Sequence, residues 1–328
     1  MSERTTDKEQ DHVYERSMGS GPDLPNLDEV DLEPHDGPEA GLWSDAWAVL
    51  RRNPLFIISA SLIVLFIVMA LFPRLFTWFY PGEQNVEACS LSLSSNVPGQ
   101  GRPSAEAWFG YDIQGCDYYL RVINGAGISI KVGMFVTVGA VILALTFGSI
   151  AGYYGKTIDA IIARITDVWF AIPTILGAIV LLSVMGERGL FQVSMVLIVL
   201  GWPSMLRLMR SSVLSTKEMD YVLASRALGA RDRRLIIKHI IPNSIAPVIV
   251  YATIYVGVII SAEAALSFLG VGVQLPAISW GLMINTASAR IINAPHLLFF
   301  PGLFLSITVF SFILMGDALR DALDPKLR

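Results

Sequence analysis

The chain has 328 residues, 53% hydrophobic and only 16% charged, where a soluble domain of that size carries about 25% charge; long apolar runs here mean membrane spans, not one large core. The formal net charge of -4 hides a split, since about a dozen acids in residues 1–40 face only Arg4, Lys8 and Arg16, and the remainder is net basic. A basic remainder with no aromatic–basic surface argues for anchoring in a lipid bilayer and against nucleic acid as a partner.

Residues 1–40, rich in Ser, Glu, Asp, Pro and Gly, are expected to form a disordered, acidic cytoplasmic tail. The first apolar run starts near Leu55 with no small-residue cleavage site after it, so no cleavable signal peptide is expected. Trp43, Trp47 and Leu50 recur at helical spacing just before Arg51 and Arg52. They predict an amphipathic helix over 41–53 with tryptophans at the headgroup level. Residues 55–72 are long enough to cross a bilayer as the first span (segment 54–79), with Pro73 ending it. The two arginines before it place the N-terminus in the cytoplasm.

A polar loop over 80–128, on the outer face, holds both cysteines of the chain, Cys89 and Cys116. Two cysteines confined to one extracytoplasmic loop favour a disulfide over a metal site, which two thiolates without a nearby histidine serve poorly. Such a closure is worth roughly 3–4 kcal/mol on the chain-entropy model.

A core of five further membrane spans is expected over 129–318. The second span covers 130–154, and Gly148 and Gly152 are spaced to admit a close helix neighbour. Residues 161–185 are expected as the third span, kinked at Pro173 inside it, and Asp167 near its inner end reads as pairing with Arg164 or capping. A fourth span covers 190–209, kinked by Pro203; a fifth covers 245–269, a sixth 297–315, and 319–328 is an inner tail. Six spans put both ends inside. The positive residues agree: outer segments collect only Arg74, Arg102, Arg121, Lys131, Arg188 and Arg290.

Between the fourth and fifth spans, residues 217–243 are too charged to be membrane and too long for a plain connection. Tyr221, Ala224 and Leu228 follow helical spacing and Gly229 sits where a helix stops. Arg231, Arg233, Arg234 and Lys238 then carry a second short helix to Pro242. Two short helices with a glycine corner and an unburied apolar face make a docking handle for a partner. Gly155-Lys156-Thr157 imitates the end of a phosphate loop, but Ile150 stands where a glycine is required and a membrane helix precedes it. Nucleotide must therefore bind elsewhere. Glu263, about 18 residues into the fifth span, reads as a pathway or gate residue, or as a structural hydrogen-bond group near Trp280. His239 and His296 have no acid–base partner nearby in sequence, so neither catalytic nor metal-binding residues are expected.

Leu223-Ala224-Ser225, Gly229 and His239-x-Ile241-Pro242 fall on the Glu-Ala-Ala, Gly and Ile-x-Leu-Pro positions of the cytoplasmic loop in ABC importer membrane subunits. With Gly201-Trp202-Pro203, the stretch 262–270, Ser279-Trp280-Gly281-Leu282 and Gly316-Asp317-x-Leu319-Arg320, residues 43–328 resemble the dipeptide/oligopeptide/nickel permeases. The resemblance implies an all-α, six-span type I ABC importer permease fold with an N-terminal elbow helix, in a bacterial cell membrane. It implies a heterodimer with a second permease, an extracytoplasmic binding protein, and two ATPase subunits that carry the ATP-Mg while this chain binds no cofactor. On it, Asp220, Tyr221, Ala224, Ser225, Arg226, Ala227, Leu228 and Gly229 form the helix seated on an ATPase, with Asp220 and Arg226 at the rim. Residues 109–117 resemble the family's Leu-Gly-Thr-Asp-x-x-Gly-Arg-Asp element, but Cys116 and Gly127 stand where relatives carry arginines. The ion pairs of those arginines are not expected here, and a covalent link is expected to take their place. The implied cargo is a dipeptide or oligopeptide, with nickel, haem or glutathione as alternatives. An ion-coupled secondary transporter is the rival class; it calls for paired acids in repeated halves, and Glu263 stands alone.

Overall fold

The structure, a computed structural model, describes residues 42–80, 101–112 and 114–323. The expected acidic tail and Cys89 lie outside the described residues. The regular elements are helices: α1 (Leu42–Leu50), α2 (Pro54–Leu71), α3 (Pro73–Thr77), α4 (Tyr118–Tyr154), α5 (Lys156–Phe170) and α6 (Thr174–Val184). There follow α7 (Leu190–Thr216), α8 (Asp220–Ala227), α9 (Ala246–Phe268), α10 (Trp280–Ser288) and α11 (His296–Leu323). Five of these helices are long and apolar enough to cross a membrane, and α5 with α6 makes a sixth crossing if that bent pair is one span.

Local chemistry sets the ends. Asn53 caps α2, its side-chain oxygen accepting from the Leu55 N–H at 2.9 Å, and Pro54 fits the first turn where no N–H is needed. Asp117 caps α4 by accepting from the Leu120 N–H at 3.1 Å. That cap starts α4 at Tyr118, so 118–128 of the expected outer loop are helix. Tyr118, Tyr119 and Arg121 point into the protein. At its other end α4 passes through a π-helical turn, Ala144–Gly148, before stopping at Gly155.

At Pro173 the expected third span breaks more sharply than a kink, into two helices bent by 80°. Pro173 lacks an N–H and drives the residue before it out of the helical region, so the chain turns extended and restarts at Thr174. Two other helices outrun their predictions: α7 continues from 209 to Thr216, and α11 carries the expected tail on to Leu323. The extension is held because Ala318 and Ala322 pack against Ala46 and Leu50 of α1.

The core has two main centres. Around one, α4, α7 and α9 bury Val136, Met205, Met209 and Ile259 together with Val222, Leu235 and Ile240 from the segment between α7 and α9. Around the other, Trp280 of α10 is fully buried among Phe66, Phe304 and Phe312, with its indole N–H donating to the Val122 carbonyl at 2.9 Å. Val64, Ile142 and Val180 stand outward on α2, α4 and α6, more than half exposed. Such an apolar exterior suits lipid as the solvent.

In lipid, helix association rests on close packing because the tails are as apolar as leucine. Gly152 meets α7 in this way. A Cβ placed on it would lie 2.8 Å from Val213 Cβ and 2.9 Å from the Arg210 carbonyl oxygen. Gly152→Leu must therefore push the α4 and α7 backbones apart, at a cost of about 1–3 kcal/mol or more. The expected outcome is a melting temperature several degrees lower for the purified protein in detergent, with Tyr154→Leu, on a side chain 47% exposed, close to the parent.

Candidate functional site

The predicted docking residues form one element. Asp220, Tyr221, Ala224, Ser225, Arg226 and Ala227 lie in α8, Leu228 is its C-cap and Gly229 follows at φ +83°. The Gly229 N–H donates to the Arg226 carbonyl at 2.9 Å and the Ala230 N–H to the Ser225 carbonyl at 3.1 Å. This pair of bonds closes a helix through a left-handed residue, which glycine adopts without penalty. Val222 is buried and roots α8 in the α4–α7 core. Tyr221 and Leu223 are exposed, and Leu228 is 90% exposed. The corner thus carries apolar side chains on its outer side while Val222 holds it to the spans.

The second arm differs from its prediction. A helix does form from Asp232, but it passes through a π-helical turn, Leu235–Ile240, and continues across Pro242 to Ser244. The π turn has already left the α-type ladder, so Pro242 stands in a first turn where its missing N–H is no loss. The two ends of the segment are latched together: the buried Ser244 hydroxyl donates to Thr216 Oγ1 at 2.9 Å.

Beside the corner, α5 is clasped to α7. Arg207 donates to Asp167 Oδ1 at 2.7 Å and lays its guanidinium 3.9 Å from the centre of the Phe170 ring. Asp167 therefore pairs with Arg207, not with Arg164 as expected, because α7 faces it across the interface. Arg210 grips Asp159 with two nitrogens, one at 2.6 Å. Sequence reasoning missed this second clasp, yet a signal existed. Asp159 and Asp167 are two helical turns apart, and Arg207 and Arg210 nearly one, so each pair shares a helix face.

Where α5 bends into α6 there is a cavity of about 500 Å3. Its polar lining comes from Trp169, Thr174, Ser204, Tyr251, Tyr255 and Ser261, and no charged side chain faces it. Pro203, expected only to kink α7, forms a piece of its wall.

Glu263 does not line that cavity. It is fully buried near the far end of α9, where Ser267 donates to Oε1 at 2.7 Å and Ser129 of α4 donates to Oε2 at 3.2 Å. Ser129 in turn accepts the Trp280 N–H at 3.2 Å, and Ser267 accepts the Val273 N–H at 3.1 Å. One carboxyl thus ties α4, α9, the turn after α9 and the start of α10. Of the two readings of Glu263, the geometry is that of the structural hydrogen-bond group near Trp280.

At the same end, Arg121 pairs with Asp112 in a buried contact, and Asp112 also accepts the Gln114 and Cys116 N–H groups at 2.8 Å. Cys116 and Gly127 offer no arginine for those family pairs; a different arginine, Arg121, one turn into α4, gives Asp112 a buried partner. The Tyr80 hydroxyl donates to Asp117, whose carboxyl burial pushes above its ordinary range. Cys116 is buried, and no free cysteine occurs among the described residues; Cys89 lies outside them.

Helices with a lipid-suited exterior, a broken span beside a cavity and a rooted corner outside the spans together define a multi-pass membrane permease subunit. The chain belongs to the family of binding-protein-dependent transport system inner membrane components, whose model matches residues 144–328. A second model, the N-terminal TM domain of oligopeptide transport permease C, matches 41–93. The chain is 40% identical over 286 residues to the dipeptide transport system permease protein DppC of Alkalihalophilus pseudofirmus, covering 87% of this chain and 90% of that one. It is 39% identical to the oligopeptide transport system permease protein OppC of Bacillus subtilis, over 91% and 94%. It is 38% identical to the glutathione transport system permease protein GsiD of Escherichia coli, over 87% and 91%.

Glu263→Ala leaves the Ser129 and Ser267 hydroxyls without their acceptor inside the bundle, at about 1–3 kcal/mol. Glu263→Gln keeps one acceptor oxygen and should fall between Ala and the parent. Thermal unfolding in detergent, read beside the amount of protein in the membrane, is the check.

Proposed function

We propose that this chain is the permease subunit of an ATP-driven importer of dipeptides and short oligopeptides, with the type I ABC importer fold. What supports the reading is α8: an exposed apolar corner rooted in the spans, in a family of binding-protein-dependent transporters. The chain acts with a second, homologous permease, two ATPase subunits that hold the ATP-Mg, and an extracytoplasmic binding protein. It performs no covalent chemistry itself. Both termini lie in the cytoplasm of a bacterial cell, and α1 serves as an elbow helix along the inner membrane surface. ATP and the loaded binding protein each favour one state of the spans, since a ligand shifts such an equilibrium only through differential affinity.

The cargo assignment follows the relatives, named for dipeptide, oligopeptide and glutathione transport. An uncharged cavity at the helix break suits transit rather than retention, because peptide termini find no countercharge there. We assign Glu263 to the framework of the bundle instead of the path. Cys89 and Cys116 form a disulfide in the outer loop.

Leu228→Asp puts a charge where the ATPase groove should close. ATPase captured with the tagged permease should fall at least about tenfold, as for loss of a buried hot-spot contact, and uptake of labelled dialanine should fall with it. Capture and uptake at parent levels would exclude α8 as the dock. For the outer loop, mass spectrometry of the unreduced protein should recover residues 89 and 116 in one cross-linked peptide. Two free thiols would remove the disulfide.

A further inference from the structure

The corner is rooted by apolar packing, but its polar links to the spans converge on one side chain. Tyr153 lies at the end of α4, two residues before Gly155, where the chain turns at φ +63° into α5. Its hydroxyl donates to Asp232 Oδ1 at 2.6 Å, at the start of the second arm. Its ring lies 5.6 Å from the Arg226 guanidinium carbon, near the end of α8. Gly229 sits between those two contacts. One tyrosine thus holds both arms of the corner, one by its hydroxyl and one by its face. Among the described residues, no other side-chain hydrogen bond, ion pair or cation–ring contact joins 218–240 to a membrane-spanning helix.

What lies beyond Tyr153 makes the contact directional. The Lys217 ammonium donates to the Gly152 carbonyl at 3.0 Å, and Gly152 is seated on Val213. The end of α4 is therefore fastened to α7, and Gly155 is the joint between it and α5, which Arg207 and Arg210 clasp to α7. Beyond those clasps lies the bend and its cavity. A push on α8 that went only through Thr216 and Ser244 would move the helices flanking the corner. A push through Tyr153 reaches α4 and, across Gly155, the broken helix.

We propose that Tyr153 is the positioning residue that transmits movement of the α8 corner to the α4–α5 joint and hence to the cavity at the helix break. The proposal rests on the docking role assigned to α8. A hydrogen bond to a carboxylate is strong enough to carry load across such a joint, and losing it changes an equilibrium by roughly tenfold or more.

The test uses the full complex in liposomes with Thr174→Cys, which lines the cavity. The readout is the rate at which an impermeant maleimide labels residue 174, with and without ATP and vanadate, followed by mass spectrometry. The parent should change labelling roughly tenfold on trapping. Tyr153→Phe should keep ATP hydrolysis and ATPase capture but lose most of that change, in line with one lost charge-assisted bond. Asp232→Ala, on an exposed position, should match it, and the double variant should be no worse than either alone, as for residues acting through one contact. A full labelling change in Tyr153→Phe, additive losses, or loss of ATPase capture would each overturn the proposal. No change in the parent would instead strike at the docking role itself, and Leu228→Asp reads that role separately.

Discussion

The close approach of α4 to α7 is the contact on which the rest is registered. Gly148 and Gly152 present no side chain, so Met209 and Val213 lie directly against the α4 backbone. In a bilayer no hydrophobic drive favours one helix pair over another, and such shape matching is what sets depth and rotation. With that pair aligned, Tyr153 is brought to the corner, Arg207 and Arg210 are brought to α5, and the start of α9 is latched by Ser244.

The two ends of the bundle solve different problems. Around Glu263 the carboxyl, two serines and two backbone N–H groups form one connected network at the base of α10. Such a network favours a single arrangement because each member left unpaired would be costly in a buried setting. Near the corner the connections are fewer and adjustable, with long arginines, a π-helical turn and a glycine joint. A permease that alternates between two openings needs rigidity at one level and compliance at another.

Much of this was legible in the chain. Apolar runs marked the spans, since a bilayer demands about 20 such residues whatever their neighbours. The spacing of Tyr221, Ala224 and Leu228 before Gly229 marked α8 and its stop, because helix caps are local chemistry. The small-residue pair at Gly148 and Gly152 was equally plain. Less visible were boundaries that depend on contacts elsewhere: α4 starting at Tyr118, α11 running to Leu323 over α1, and the helix continuing past Pro242.

By itself the amino-acid sequence determined where the apolar segments lie, where the exposed corner lies and which family the chain belongs to, for these depend on composition, period and motif. Tertiary structure alone decided partnerships: Asp167 with Arg207, Asp112 with Arg121, Tyr153 with Asp232, and Glu263 inside a serine cluster away from the cavity. It also turned Pro173 from a kink into an 80° break. The reason is physical. A side chain's partner across an interface is set by the depth and rotation of two helices, and those are properties of packing that no local stretch encodes.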